Sequence, residues 1–169
     1  MQRIIWGNLI SFVGSLFLFA SCVAKSKRRV LLFQFFQCAI LTAAQITFGK
    51  GAGAVSMAVA GTRNLIIASG HYGVFATVLV SLFTFVFGIY FNTGGVIGLM
   101  PVIASVFYSV ALYVTNDVRH LKLALSVLLF VWIVYSALIF DIFGTISNTS
   151  AQILNLVTLA RFYKRTAEK

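Results

Sequence analysis

The residue with the most unexpected chemistry in this sequence is Arg63, which stands inside the apolar segment AGTRNLIIASG, directly before Asn64. Arg63 lies about six residues from the end of its segment, or roughly 9 Å at the helical rise of 1.5 Å per residue. Two interpretations are open. Either the side chain reaches the cytoplasmic headgroups along its apolar stem, or it faces the bundle interior and meets an anionic or strongly polar solute.

Further polar side chains stand in the third and last apolar segments. Asn64 and Asn155 either bind a solute or form hydrogen bonds between helices. In the last segment, Asn148, Thr149 and Gln152 form a polar stripe at helical spacing. That stripe either lines a wet cavity or packs on a neighbouring helix. We therefore take Asn64, Asn148, Gln152 and Asn155 as candidate solute-binding residues beside Arg63.

Two residues of other types complete the candidate set. Trp132 stands in the middle of an apolar segment, whereas most membrane tryptophans lie at an interface. It either fills space or forms an aromatic wall for a solute. Pro101 is the only proline of the chain, and a proline within a helix produces a kink. We therefore expect a hinge at Pro101.

The apolar segments lack the groups that catalysis would need. They offer no pair of carboxylates, no His-rich ligand set and no nucleophile with an adjacent base. Cys22 and Cys38 each stand within an apolar run, and two such residues form neither a metal site nor a disulfide framework. We therefore expect no enzymatic activity, no cofactor and no metal.

The composition assigns the chain to the membrane. Of its 169 residues, 60% are hydrophobic and 9% are charged, and the mean hydropathy is +1.00. Soluble domains carry about 25% charged residues. The apolar runs have the length that crosses a bilayer core of roughly 30 Å as a helix. The sequence therefore predicts an all-α polytopic membrane protein, whose partner is the lipid bilayer.

Seven membrane helices are predicted, separated by short breaks that contain mainly Gly, Asn or charged residues. They cover residues 4–23, 30–48, 51–69, 72–91, 95–115, 121–140 and 142–163. The last span is unusually polar, which requires that its polar face be buried.

The basic residues predict the orientation. Cytoplasmic loops of membrane proteins are enriched in Lys and Arg. With the N-terminus outside, Arg3 and Lys50 lie outside and Arg63 lies within a span. Ten basic residues then lie inside: Lys25, Lys27, Arg28, Arg29, Arg119, Lys122, Arg161, Lys164, Arg165 and Lys169. We therefore predict N-out and C-in, and we ascribe the net charge of +10 to topology rather than to nucleic-acid binding.

A shift of 91 residues aligns the first three spans with the last three. It gives ten identities between residues 4–69 and their mates, where this composition would give roughly five by chance. Asn64 meets Asn155, and Arg28 meets Arg119. The predicted plan is a three-helix repeat over residues 1–70, a linker helix over 71–93 and a second repeat over 94–169. Parallel repeats of this kind bind solutes at their interface.

The segments GAGAVSMAVAGTRNLI, LMPVIASVFYSVAL and IFGTISNTSAQILNLVTLARFYKR resemble the YgjV-like family of bacterial inner-membrane proteins. This resemblance implies the inner membrane and no particular reaction. The 3+1+3 plan is more loosely similar to the SWEET and PQ-loop carriers, and that likeness implies that Asn64 and Asn155 hold a solute. The chain departs from those carriers because it has no Pro-Gln pair and no hinge proline besides Pro101.

Two functional hypotheses follow from these patterns. The first is a carrier or facilitator of a small polar or anionic metabolite that works by alternating access between the two repeats. The second is a membrane scaffold or partner subunit that transports nothing, in which Arg63 and the Asn residues are structural. The identity of a solute and the formation of a homo-oligomer are left open.

Overall fold

The computed structural model describes residues 2–24, 26–71, 73–115 and 117–167, with side chains given up to Arg161 except that of Val118. The predicted fourth span begins at Tyr72, and the predicted inside charges include Lys25 and Lys169. These three residues lie outside the described ones, as do the side chains of Lys164 and Arg165.

The described residues form seven α-helices, as the sequence predicts. They are α1 (Gln2–Val23), α2 (Lys27–Thr47), α3 (Gly51–Ala68), α4 (Val74–Tyr90), α5 (Gly95–Val114), α6 (Val118–Leu138) and α7 (Ile142–Ala167).

Two helices begin three residues earlier than the hydropathy pattern predicts. The Ser26 hydroxyl accepts a hydrogen bond from the backbone N–H of Arg29 and caps α2. The Asp117 carboxylate accepts one from the N–H of Arg119 and caps α6. Side chains of this kind stabilise a first turn by satisfying its free N–H groups, so basic residues beside the caps become helical.

Four of the described helices are long and apolar enough to cross a membrane by length and composition: α1, α2, α5 and α6. The apolar α4 has 17 residues and is shorter. The other two helices contain most of the candidate solute-binding residues. Arg63 and Asn64 lie in α3, and the polar stripe around Asn148 lies in α7.

The helices pack in a closed series around a common interior. In this series α1 packs on α2, α2 on α3, α3 on α5, α5 on α6, α6 on α7, and α7 on α1. The remaining helix, α4, packs on α3 and α5. Most large apolar side chains of α4 are exposed, among them Phe75 and Tyr90. In a membrane protein such a surface faces lipid.

Two turns at one end of the bundle have the same geometry. After α2, Gly49 has a φ of 73°, and the Lys50 N–H donates to the Gln45 carbonyl. After α6, Phe140 has a φ of 60°, and the Asp141 N–H donates to the Ser136 carbonyl. Both are helix endings that close through a residue in the left-handed region. Each residue of the first turn lies 91 positions before its counterpart in the second.

Candidate functional site

The interior of the bundle holds a cavity of about 50 Å³, which we call the central cavity. Its walls come from every helix except α4, as far as the structure describes the chain. They consist of Leu18, Gln34, Gln37, Cys38, Ser56, Met57, Ala60, Arg63, Asn64, Ser105, Tyr108, Leu125, Leu128, Leu129, Trp132 and Asn148. Polar side chains thus interrupt an otherwise apolar surface.

Arg63 lies in the wall of the central cavity and is only 2% exposed. Its Nε and Nη2 donate hydrogen bonds to Asn64 Oδ1 at 3.3 and 3.2 Å. Its Nη1 donates to the Ser105 carbonyl oxygen at 3.2 Å and to Ser109 Oγ at 2.8 Å. The side chain therefore faces the protein interior and does not extend to the headgroups.

One face of α5 receives the guanidinium. Ser105, Tyr108 and Ser109 are spaced i, i+3 and i+4, so they share that face. The Arg63 Cζ lies 5.1 Å from the centroid of the Tyr108 ring, within the range of a cation–π interaction. Arg63 thus joins α3 to α5 from inside the bundle.

Four buried polar atoms in the cavity wall make no close hydrogen bond among the described residues, although the side chains of Gln34 and Tyr108 also interact with each other. The four atoms are Gln34 Oε1, Ser56 Oγ, Ser105 Oγ and Tyr108 Oη. Each of the four residues is at most 4% exposed. A buried polar atom without a partner costs about 1–3 kcal/mol. The geometry therefore suits an occupant that supplies hydrogen bonds.

Trp132 and Asn148 also lie in the wall of the central cavity. The Trp132 ring stands edge to face with that of Tyr135, with centroids 5.4 Å apart. Pro101 is buried inside α5, one turn before Ser105. Helix α5 continues through the proline, and a hinge there stays a prediction.

Asn155 does not line the central cavity, and its part in holding a solute stays a prediction. Its Nδ2 donates to the Lys122 carbonyl at 2.8 Å and to Ser126 Oγ at 2.9 Å, and these contacts hold it between α6 and α7. Gln152 is half-buried and also lies away from that wall. The polar stripe of α7 therefore divides, and only Asn148 reaches the cavity.

A second, smaller cavity of about 10 Å³ adjoins the first, and we call it the Asp141 cavity. It shares five wall residues with the central cavity: Leu18, Gln37, Met57, Trp132 and Asn148. Asp141 is the one residue between the sixth and seventh predicted spans, yet it is only 2% exposed. Besides the five shared residues, the described wall of the Asp141 cavity consists of Ser11, Ser15, Leu41, Gln45, Ser136, Asp141, Gly144 and Ser147.

The sequence candidates omit much of this polar lining. Gln34 and Gln37 stand at i and i+3 in α2, and Ser105 and Ser109 at i and i+4 in α5. Such spacing of polar residues within apolar helices indicates one buried face. It was a usable signal for both helices.

Among the described residues, no three His, Cys, Asp or Glu side chains come together as a metal site. In a comparison with known families, residues 5–166 match the model of a family of bacterial inner membrane proteins, Imp-YgjV. No curated protein and no solved structure matches the chain.

Proposed function

The chain belongs to the Imp-YgjV family of bacterial inner membrane proteins, and from that premise we propose that it is a carrier or facilitator of a small polar solute. The solute binds in the central cavity, and the helices on either side open it to alternate faces of the membrane. On this proposal the protein is a transporter and not an enzyme.

The observation that carries the proposal is the polar lining of the central cavity. Cavities lined only by apolar groups stay dry, whereas polar cavities hold water or a ligand that forms hydrogen bonds. Ser56 contributes a hydroxyl from α3, Ser105 and Tyr108 contribute hydroxyls from α5, and Gln34 contributes an amide oxygen from α2. An occupant that satisfies these atoms removes a desolvation cost at each of them.

The arrangement of helices supports alternating access. Under the shift of 91 residues α1 corresponds to α5, α2 to α6 and α3 to α7. The packing of α1 on α7 then corresponds to that of α5 on α3, and the packing within α1–α3 corresponds to that within α5–α7. The matching turns at Gly49 and Phe140 fit the same relation. Two equivalent units around one cavity are the arrangement of transporters built from parallel repeats.

The size of the cavity favours a small solute. About 50 Å³ is room for about three to five water molecules, since one water needs roughly 10–15 Å³ by the same measure. A larger solute requires that the two units separate. Pro101 lies in α5 one turn before the cavity residue Ser105, and a bend of α5 at Pro101 would allow such a movement.

One observation favours the second candidate, a scaffold or partner subunit. The Arg63 guanidinium donates hydrogen bonds to Ser105 and Ser109, so its charge also serves to fasten α3 to α5. In that function the cavity would be a packing defect filled by water, and the protein would act through a bound partner.

Replacing Ser56 by Ala tests the proposal, with Ser81→Ala as the matched control. Both hydroxyls are buried and lack a described partner, but Ser81 lies on α4, away from the central cavity. The purified protein is screened for thermal stabilisation by small sugars, polyols, amino acids and carboxylates. Uptake of each stabilising compound into proteoliposomes is then measured. We expect Ser56→Ala to weaken binding about 5- to 10-fold, the loss of one hydrogen bond of about 1 kcal/mol, and Ser81→Ala to leave binding unchanged.

Equal losses in the two variants would contradict a solute site at Ser56. If none of the compounds stabilises the protein or enters the vesicles, and a stoichiometric protein partner copurifies from the native membrane, the scaffold is the correct candidate.

A further inference from the structure

We propose that Asp141 is a proton-binding site, and that its protonation changes the central cavity through the wall that the two cavities share. The ligand is the proton itself, taken from water at the end of the bundle where α6 turns into α7. This inference goes beyond solute transport and does not depend on which solute the central cavity takes.

The Asp141 carboxylate is held tightly at the start of α7. Its Oδ1 accepts a hydrogen bond from the Gly144 N–H at 2.8 Å, and its Oδ2 accepts one from Ser11 Oγ at 3.1 Å. A Cβ at Gly144 would lie 2.2 Å from Asp141 Oδ2, so any larger residue there would displace the carboxylate. The fold thus fixes both oxygens between α1 and α7.

The surroundings of the carboxylate are polar but contain little water. The Asp141 cavity of about 10 Å³ is close to the lower limit for a single water molecule. The polar side chains of its wall, besides Asp141, are the hydroxyls of Ser11, Ser15, Ser136 and Ser147 and the amides of Gln37, Gln45 and Asn148, and Ser15 and Ser147 contact each other. Among the described contacts, two groups donate hydrogen bonds to the carboxylate, the Gly144 N–H and the Ser11 hydroxyl, so its hydration in water is replaced only in part.

The groups that face Asp141 do not include a described cation. From α1 it meets Ser11, from α2 Gln45 and from α7 the first turn of that helix, none of which titrates. From α6 the titratable group nearby is Tyr135, whose hydroxyl donates to Gln45 Oε1 at 3.2 Å. Lys50 lines a separate cavity whose described wall includes Tyr135 and not Asp141.

This environment favours the protonated form. Burial raises the pKa of the Asp141 carboxyl above its usual value, and the hydrogen bonds from Gly144 and Ser11 offset part of that rise. When a proton binds at Oδ2, the new O–H donates to Ser11 Oγ and the direction of that hydrogen bond reverses. Oδ1 still accepts from Gly144, so α7 keeps its cap in both states.

The shared wall connects the two cavities. Asn148 follows Gly144 by one turn of α7 and lines both cavities, and Trp132 and Gln37 do so from α6 and α2. Protonation removes a negative charge beside the N-terminus of α7, where an anion is stabilised by the helix dipole. On this proposal the loss of that charge is passed along the first turn of α7 to Asn148, which lines the central cavity as well.

The fluorescence of Trp132 tests the proposal without a transported solute. Trp6, the only other tryptophan, is 61% exposed and is replaced by Phe, so the signal comes from Trp132 alone. The pH is varied for the protein in lipid nanodiscs, for its Asp141→Asn variant and for Asp117→Asn. Asn is nearly isosteric with Asp and also caps helices, while Asp117 is a half-exposed carboxylate on another turn.

We expect a sigmoidal change in fluorescence with a midpoint above the ordinary Asp value of about 3.9. It should be absent in Asp141→Asn and unchanged in Asp117→Asn. The proposal would be overturned if the fluorescence of the protein that keeps Asp141 and Asp117 did not change with pH, or if Asp141→Asn gave the same change. A response to Na⁺ at constant pH that Asp141→Asn abolishes would also overturn it, because the ligand would then be a metal cation.

An infrared titration covers the case in which Asp141→Asn fails to fold. The sequence has three acidic residues, so in the double variant Asp117→Asn, Glu168→Gln the one side-chain carboxyl is that of Asp141. Its C=O band should appear as the pH falls through the same midpoint. If the band appears only when the pH falls to the ordinary Asp pKa of about 3.9 or below, a raised proton affinity of Asp141 is refuted. Neither measurement involves solute transport, so a negative result leaves the proposed function untouched.

Discussion

Among the contacts described above, most of those that hold the Arg63 guanidinium come from uncharged groups of α5. Hydrogen bonds from a charged donor contribute about 1.5–3 kcal/mol each, roughly twice the value of neutral ones. The short contact from Nη1 to Ser109 Oγ, at 2.8 Å, is therefore expected to be the strongest single link between α3 and α5. Removing either partner also affects the other contacts of the guanidinium, so single substitutions do not isolate this link.

A double-mutant cycle with Arg63→Leu and Ser109→Ala isolates the contribution of the contact between Arg63 and Ser109. Leucine occupies the repeat mate of Arg63, position 154, and is compatible with a membrane helix. We expect a coupling energy of about 1–3 kcal/mol in the free energy of unfolding, measured by reversible denaturation in mixed micelles. Additive effects, within about 0.5 kcal/mol, would show that the contact contributes nothing specific.

At the scale of elements, the turn between α6 and α7 has an unusual residue. Phe140 has a φ of 60° and its side chain is 72% exposed. The left-handed conformation costs a non-glycine residue about 1–2 kcal/mol. The equivalent turn between α2 and α3 has Gly49 at this position, where the conformation carries no such steric cost.

Phe140→Gly should therefore stabilise the turn relative to Phe140→Ala. Both variants lose the exposed ring, and only Gly relieves the backbone, so we expect Gly to be more stable by about 1 kcal/mol. Thermal unfolding of the two variants in the same detergent measures this difference. Equal stabilities, or a more stable Ala variant, would mean that φ at position 140 is not strained.

The positions of the helices could be predicted from the sequence because each break carries a local signal. Gly49, Gly70 and Gly95 mark turns, and charged residues mark the connections that follow α1 and α5. The faces that the helices present could be predicted only in part. Asn64 and Asn155 are equivalent in sequence, yet one contacts Arg63 and the other contacts the α6 backbone. That difference arises from packing between helices distant in sequence, which local pattern does not contain.

At the scale of the whole molecule, the central cavity joins parts of the chain that are far apart in sequence. The Arg63 contacts to Ser105 and Ser109 span 42 and 46 residues. Insertion of an Arg costs about 2.5–3.5 kcal/mol at the centre of a helix, and as an isolated span α3 bears part of that cost because Arg63 lies five residues before its end. Its insertion is therefore expected to depend on α5.

Reporter fusions test this dependence. Alkaline phosphatase is active only on the outer side of the inner membrane, and the predicted topology places Thr93 and Ile139 on that side. A fusion after Thr93 lacks α5, and we expect low activity that Arg63→Leu restores. A fusion after Ile139 includes α5 and should be active with or without that substitution. High activity of the Thr93 fusion with Arg63 in place would contradict the dependence on α5.

Because the chain is synthesised from its N-terminus, the α5 partners of Arg63 are made some time after Arg63 itself. At roughly 5–20 residues per second of synthesis, the ribosome adds Ser109 on the order of 2 to 9 seconds after Arg63. Throughout that interval the guanidinium has to be accommodated by headgroups, by water or by the insertion machinery. The third helix of this protein is thus expected to remain at the edge of the membrane, and to take its final depth only when the fifth helix arrives.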